Sequence, residues 1–324
     1  MSAPAPLAVV QPFWFDRPAT EAIDIAGNAE RFGYSELWVG EMRTFDAFAL
    51  SGAIAAVTRQ VRLVVGPLPA STRDPAALAL GIASVTAIGA RPAHLALGAS
   101  TPVVVSRWHG RPWQRTIRHM RETVDALRPL LAGERGRFSG DLVHCDGFRL
   151  VSPSPATEIC IAAFGPKMLS LAAAIADRVV VNLVTPPQVS EVCRQIEAAA
   201  RAVDRPPPPL VAWVPAAIDP TESVWRQLAM QLGAYVGAPG YGEMFTAAGF
   251  SEIVQLARSG VRQRDLVAAM PRGLTAAIGA IGSLHEVRSR IAAFQAAGAA
   301  TVGIVPATAT DPGAERLLGA LIRR

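Results

Sequence analysis

The chain has 324 residues, 51% of them hydrophobic and 18% charged, enough apolar material for a large core and too much for a disordered chain. The net charge of +5 comes from 31 basic and 26 acidic residues; the arginines are scattered and no basic run is interleaved with aromatics, which excludes a nucleic-acid groove and leaves a solvated basic surface. Cys145, Cys160 and Cys193 are too widely spaced for a disulfide framework or a zinc site, residues 1–6 lack the pattern of a signal peptide, and the most apolar stretch, 76–90, is too short to span a bilayer; a cytoplasmic protein with no membrane partner is expected.

In chain order, short runs rich in Val, Ile, Leu and Ala alternate with longer segments of helical period, and this βαβα order implies a parallel sheet buried on both faces. The runs are 7–11, 37–40, 61–66, 94–98, 159–163, 179–184, 210–217 and 301–305. Helices are expected at 18–32, 45–58, 74–88, 113–131 and 187–203, with a last one at 312–323. Eight strands with a closing helix predict an α/β chain forming one (β/α)8 TIM barrel over 1–324, in preference to an open doubly wound sheet. Two intervals exceed a plain connection between strand and helix. Residues 133–155 contain Arg137-Phe138-Ser139-Gly140 and Gly147-Phe148-Arg149-Leu150, which predict a hairpin inserted before strand five; residues 221–300 read as several helices in place of one.

In such a barrel chemistry sits where strands end and the following loops begin. The strongest local signal there is Phe164-Gly165-Pro166-Lys167-Met168. Gly165 permits a tight turn, Pro166 suits the first helical position, and the amides that follow favour an anion. Lys167 opposes the helix dipole but is well placed beside a phosphate, and it is the only lysine among 31 basic residues. The alternative is a surface lysine on an ordinary helix start. A second signal is Gly66-Pro67: proline removes a ladder donor, so strand three must end or bulge there, with the peptide bond either cis or trans. Gly237, Gly240 and Gly242 lack the strand-turn-helix context of a dinucleotide loop, and no metal-ligand spacing is present.

In combination, Glu30-Arg31-Phe32-Gly33-Tyr34-Ser35-Glu36-Leu37-Trp38-Val39-Gly40, Val61-Arg62-Leu63-Val64-Val65-Gly66, Arg73-Asp74-Pro75, Ala163-Phe164-Gly165-Pro166-Lys167-Met168 and Ala176-Asp177 resemble the luciferase-like monooxygenase superfamily, and within it the branch using the deazaflavin coenzyme F420. The resemblance covers nearly the whole chain. It implies a barrel with insertions, a homodimer and a cofactor over the C-terminal ends of the strands. It also implies that a bulge at Gly66-Pro67 backs the deazaflavin ring, that Gly98-Ala99-Ser100-Thr101 contacts the ribityl and phosphate portion, and that Phe164 to Met168 bind the phosphate. Met42 and Asn182, at the ends of strands two and six, are assigned to the cofactor as well.

The sequence departs from that pattern. Where many F420 members have Asp-His after strand two this chain has Glu41-Met42, and where some have a Glu after strand four it has Thr101. Methionine cannot exchange a proton, so the acid or base candidates at the mouth are His109 and Glu41, the latter read as a cofactor or supporting contact in preference to the acid, with His94, His119, His144 and His285 ranked lower. Phe13, Trp14, Trp108 and Tyr241 predict an apolar substrate pocket for a small molecule. The leading expectation is an F420-dependent oxidoreductase. An FMN-dependent monooxygenase and a non-catalytic flavin- or F420-binding barrel are the alternatives.

Overall fold

The computed structural model describes residues 6–322. Its strands are β1 (Leu7–Val10), β2 (Glu36–Val39), β3 (Arg62–Pro69), β4 (His94–Gly98), β5 (Arg137–Ser139), β6 (His144–Asp146), β7 (Ile159–Ala162), β8 (Arg178–Asn182), β9 (Leu210–Ile218), β10 (Ala280–Gly282) and β11 (Thr301–Pro306). The main sheet has the order β10-β9-β11-β1-β2-β3-β4-β7-β8, and β9 also pairs with β8. The chain is therefore a closed (β/α)8 TIM barrel, its eight barrel strands falling on the eight apolar runs, with β10 as a short ninth strand beside β9. Strands buried on both faces explain those runs: every residue of β2, β4 and β9 is buried. Among the described residues no helix is long and apolar enough to cross a membrane.

The chain divides into two compact units. One comprises the chain up to Tyr34, Val181–Cys193 and the chain from Leu210 onward; the other comprises Ser35–Val180 and Arg194–Pro209.

In the second unit the helices Ala47–Val57 and Pro75–Gly89 start on aspartate caps, Asp46 accepting from the Ala49 amide at 2.9 Å and Asp74 from that of Ala77 at 2.8 Å. Charges at the strand starts are paired where they are buried. Glu36 accepts from Trp38 Nε1 at 2.6 Å and from Arg178 Nη1 at 2.8 Å, and Arg178 also meets Glu158 at 3.1 Å. The inserted hairpin differs from expectation in its second limb, which is His144–Asp146 and not 147–150. Gly147, with φ 78°, turns the chain out of the ladder and its amide bonds back to Gly136 O at 3.0 Å. The hairpin turn is held from the helix Thr116–Leu131, where Glu122 accepts from the amides of Asp141, Leu142 and Val143 at 3.2, 2.7 and 3.0 Å.

In the first unit the stretch 221–300 forms the helices Glu222–Gly233, Tyr241–Ala247, Ser251–Arg258, Gln263–Ala268, Arg272–Ile278 and Leu284–Ala296. The five before β10 enclose a core of Leu232, Val236, Phe245, Val254, Leu274 and Ile278. The loop after β11 is fixed by Gln227 Oε1, which accepts from Thr308 N at 2.8 Å and Ala309 N at 3.1 Å, and by Glu21, which accepts from Gly313 N at 3.1 Å.

Candidate functional site

The second unit gathers most of the expected site residues at the ends of β3, β4 and β7. Strand β3 continues through Gly66-Pro67 to Pro69 by bulging: Val65 pairs with Leu95 and Leu68 with Leu97, leaving two β3 residues opposite Ala96. The Gly66-Pro67 bond is cis. Gly66 has φ 122°, and a Cβ there would stand 2.1 Å from Ala96 O, so the close approach of β3 to β4 admits only glycine. At the end of β4 a Cβ on Gly98 would lie 3.4 Å from Pro67 Cβ and 3.5 Å from Ala162 Cβ. Gly66, Pro67 and Gly98 are thus neighbours.

Beyond Gly98, Ala99 O accepts from Trp113 Nε1 at 3.0 Å and Ser100 is left-handed with φ 57°. Thr101 O accepts from Val105 N at 3.0 Å and starts a π-helical turn, Val103–Trp108. Ala70, Ser71, Gly98, Ala99, Trp113 and His119 line a small cleft. His119, ranked low from sequence because it lies within a helix, therefore reaches the strand ends; burial lowers its pKa, and its Nδ1 is 3.3 Å from Thr123 Oγ1. No local pattern marked it. His109 caps the π-helical turn through its amide, 3.2 Å from Val104 O, and its side chain is exposed.

At the end of β7 the helix Pro166–Ile175 begins on Gly165, with φ 71° and no side-chain cap. Among the described residues neither the Lys167 nor the Met168 amide has an acceptor, and the first helical hydrogen bond is Leu169 N to Gly165 O at 3.1 Å. Lys167 is exposed, Met168 is buried, and a Cβ at Gly165 would meet nothing within 4 Å. The opposite helix end is satisfied by cations. Arg128 donates to Ile175 O at 2.7 Å, and Arg205 donates to the carbonyls of Ala173, Ala174 and Ala176. Two free amides, a cation and open space fit a phosphate.

The loop after β2 shows what holds Glu41. Glu41 is not a free acid or base: both carboxylate oxygens accept from Arg73 at 2.8 Å, and one accepts from Ala47 N at 2.9 Å. Arg73 also reaches Asp46, and its own pKa is raised by the hydrogen bonds to Glu41. This ion pair fixes the loop that carries Met42 and Thr44. Thr44 Oγ1 is shielded from solvent and has no hydrogen-bond partner among the described residues, a buried donor that sequence reasoning missed.

The remaining expected residues belong to the first unit. Trp14 is a core side chain and not a pocket wall: its Nε1 donates to Pro306 O at 2.9 Å, and it packs with Ala217, Val224, Leu228 and Ala307. Phe13 is half-buried. Asn182 and Tyr241, assigned separately from sequence, meet in a side-chain hydrogen bond; burial pushes the Tyr241 phenol far up, and its ring lies 4.9 Å from that of Tyr235. Leu183, next to Asn182, is left-handed with φ 57°, an unusual conformation for a bulky residue. Among the described residues no cluster of His, Cys, Asp or Glu is placed to hold a metal.

Comparison with known proteins adds four findings. A family model described as luciferase-like monooxygenase matches residues 5–301. A 5,10-methylenetetrahydromethanopterin reductase of Methanolobus tindarius is 28% identical over 191 residues, which are 59% of this chain and 58% of that protein, so the chain spans little more than half the length of this curated relative. The fold is shared with a coenzyme F420-dependent tetrahydromethanopterin reductase from Methanopyrus kandleri (TM-score 0.82, 18% identity, 98% of each chain). It is shared too with the oxygenating constituent of 3,6-diketocamphane monooxygenase from Pseudomonas putida in complex with FMN (TM-score 0.72, 16% identity, 99% of this chain and 98% of that one).

Proposed function

Because the chain belongs to the luciferase-like monooxygenase family, we propose that it is an F420-dependent oxidoreductase acting on a small, largely apolar organic substrate. The observation that carries this reading is the β3 bulge, where Gly66-Pro67 abuts Gly98 and so offers a rigid backing for a planar ring. The reductases among its relatives support the same choice. When bound, the coenzyme supplies hydride transfer at its C5. The chain's own residues do the rest.

The amides of Lys167 and Met168 and the Lys167 ammonium would hold the phosphate. Ala99, Ser100 and Thr101 line its path, with Trp113 holding Ala99 in place. The Glu41–Arg73 pair orients the loop after β2, from which Met42 would pack against the ring system and the unpartnered Thr44 hydroxyl would donate to it. A histidine of the β4 side, His109 on its exposed turn or His119 in the cleft, would hold the proton that accompanies hydride transfer. FMN also presents a phosphate to the same helix start, so the cofactors must be separated by measurement. Titrating the apoprotein with F420 and with FMN is expected to give saturable F420 binding that is at least about tenfold tighter. Tight FMN binding without F420 binding sinks the proposal in favour of a monooxygenase. F420 binding with no turnover of any substrate leaves a non-catalytic carrier. We further propose that the protein acts as a cytoplasmic homodimer.

A further inference from the structure

Resting on that reading of the site, we propose that segment 101–115 selects its substrate by charge, taking an organic anion with an apolar body and a carboxylate or phosphate group. The segment is anchored where the site is: Thr101 Oγ1 accepts from Val104 N at 3.4 Å at one end, and Trp113 Nε1 donates to Ala99 O at the other. Between these anchors lies the π-helical turn Val103–Trp108, a rare geometry that recurs at functional sites. Val105 is its buried residue, whereas Val103 and Trp108 are left 45% and 46% exposed. Two large apolar side chains in water beside the end of β4 offer a surface to an apolar ligand, and an indole does so with little loss of side-chain freedom.

The charged residues of the segment, Arg107, Arg111 and Arg115, are all cationic. Between Asp74 and Glu122 the sequence contains no acidic residue. Arg115 and Arg118 find their counter-charge on the hairpin, at Asp141, 2.9 and 2.8 Å away. Arg107 and Arg111 have no ion pair or side-chain hydrogen bond among the described residues. Guanidinium groups bind carboxylate and phosphate in two-pronged fashion and are cheaper to desolvate than ammonium groups. A neutral apolar substrate would leave both guanidinia unused, and a cationic one would be repelled.

The test compares 2-naphthoate with 2-naphthol, probes of like shape that differ in charge near neutral pH, bound to the F420-loaded protein and followed by calorimetry. The native protein is expected to bind the naphthoate about fivefold tighter or more at low ionic strength, with the preference shrinking as salt is added. Arg107→Gln with Arg111→Gln is expected to abolish the preference, while Arg121→Gln, on the helix beyond the segment, leaves it intact. Equal affinities in the native protein, no saturable binding of either probe, or a preference that survives the double substitution overturns the proposal. F420 affinity measured on the same samples keeps the two ideas apart. A protein that binds F420 but treats the probes alike loses only the substrate class; one that binds no F420 loses the reading of the site.

Discussion

Lys167 stands at the second position of the helix Pro166–Ile175, where a positive charge faces the positive end of the helix dipole and costs about 0.3–1 kcal/mol. A glutamate there is favourable for the helix and unfavourable for a bound phosphate, so the substitution separates folding from binding. Lys167→Glu is expected to leave the melting temperature unchanged or slightly raised while weakening F420 about three- to tenfold. A fluorescence titration paired with a thermal melt checks this, and unchanged affinity removes Lys167 from the site. The singular lysine was visible in sequence because it broke the chain's own arginine habit. Glu41 is the opposite case. Its partner Arg73 is 32 residues away on another loop, and no period or motif announces such a pairing, so the sequence offers the carboxylate but not what holds it. The place of His119 in the cleft was hidden for the same reason: a position within a helix says nothing of which loops that helix start meets.

At the scale of elements, Glu122 shows how a helix holds an insertion. Burial alone would push its pKa up, but Arg118 and the amides of Leu142, Val143 and Asp141 outweigh burial and bring it down to about 2 from an ordinary 4.5. A carboxylate lowered on folding stabilises the native state fully above its unfolded value, and that contribution is lost as the pH falls from about 4.5 toward about 2. Glu122→Ala leaves the three amides without their acceptor and is expected to cost about 2–3 kcal/mol in local stability at neutral pH. Hydrogen exchange at Asp141, Leu142 and Val143 should accelerate in the variant at fixed pH, and in the native protein the protection of these amides, taken relative to the intrinsic rate at the same pH, should fall on acidification through that window; protection that is insensitive to both refutes the role. The eight barrel strands were legible because burial on both faces forces continuous apolar runs. The second hairpin limb was misplaced by a few residues, since Phe148-Arg149-Leu150 resembles a strand while the left-handed Gly147 takes it out of the ladder. The continuation of β3 past Pro67 was one of two outcomes the sequence left open, because whether a proline ends or bulges a strand depends on the neighbouring strand's register.

For the whole molecule, the distribution of charge bears on the proposed homodimer. The helices Ala47–Val57 and Pro75–Gly89 contain no charged residue, yet each has a solvent face, where Val57, Leu80 and Ile88 are 59%, 55% and 53% exposed. Outward helix faces of a monomeric barrel are normally studded with Lys, Arg, Asp and Glu, and this chain has 57 charged residues to place elsewhere. Two such faces meeting about a two-fold axis would remove the apolar area from water on both copies without burying a single ion, which is how an isologous interface avoids the desolvation penalty of unpaired charges. A stable pair needs about 800 Å² per partner, so the two helices would form the centre of the contact and the segments beside them its rim. Leu80→Glu would bring a carboxylate from each copy into that contact, with little effect on a side chain so exposed in the single chain. Sedimentation equilibrium is expected to give a dimer for the native protein and a monomer for Leu80→Glu, with an unchanged far-ultraviolet circular dichroism spectrum. A native monomer denies the assembly, and a dimeric Leu80→Glu moves the interface to another face.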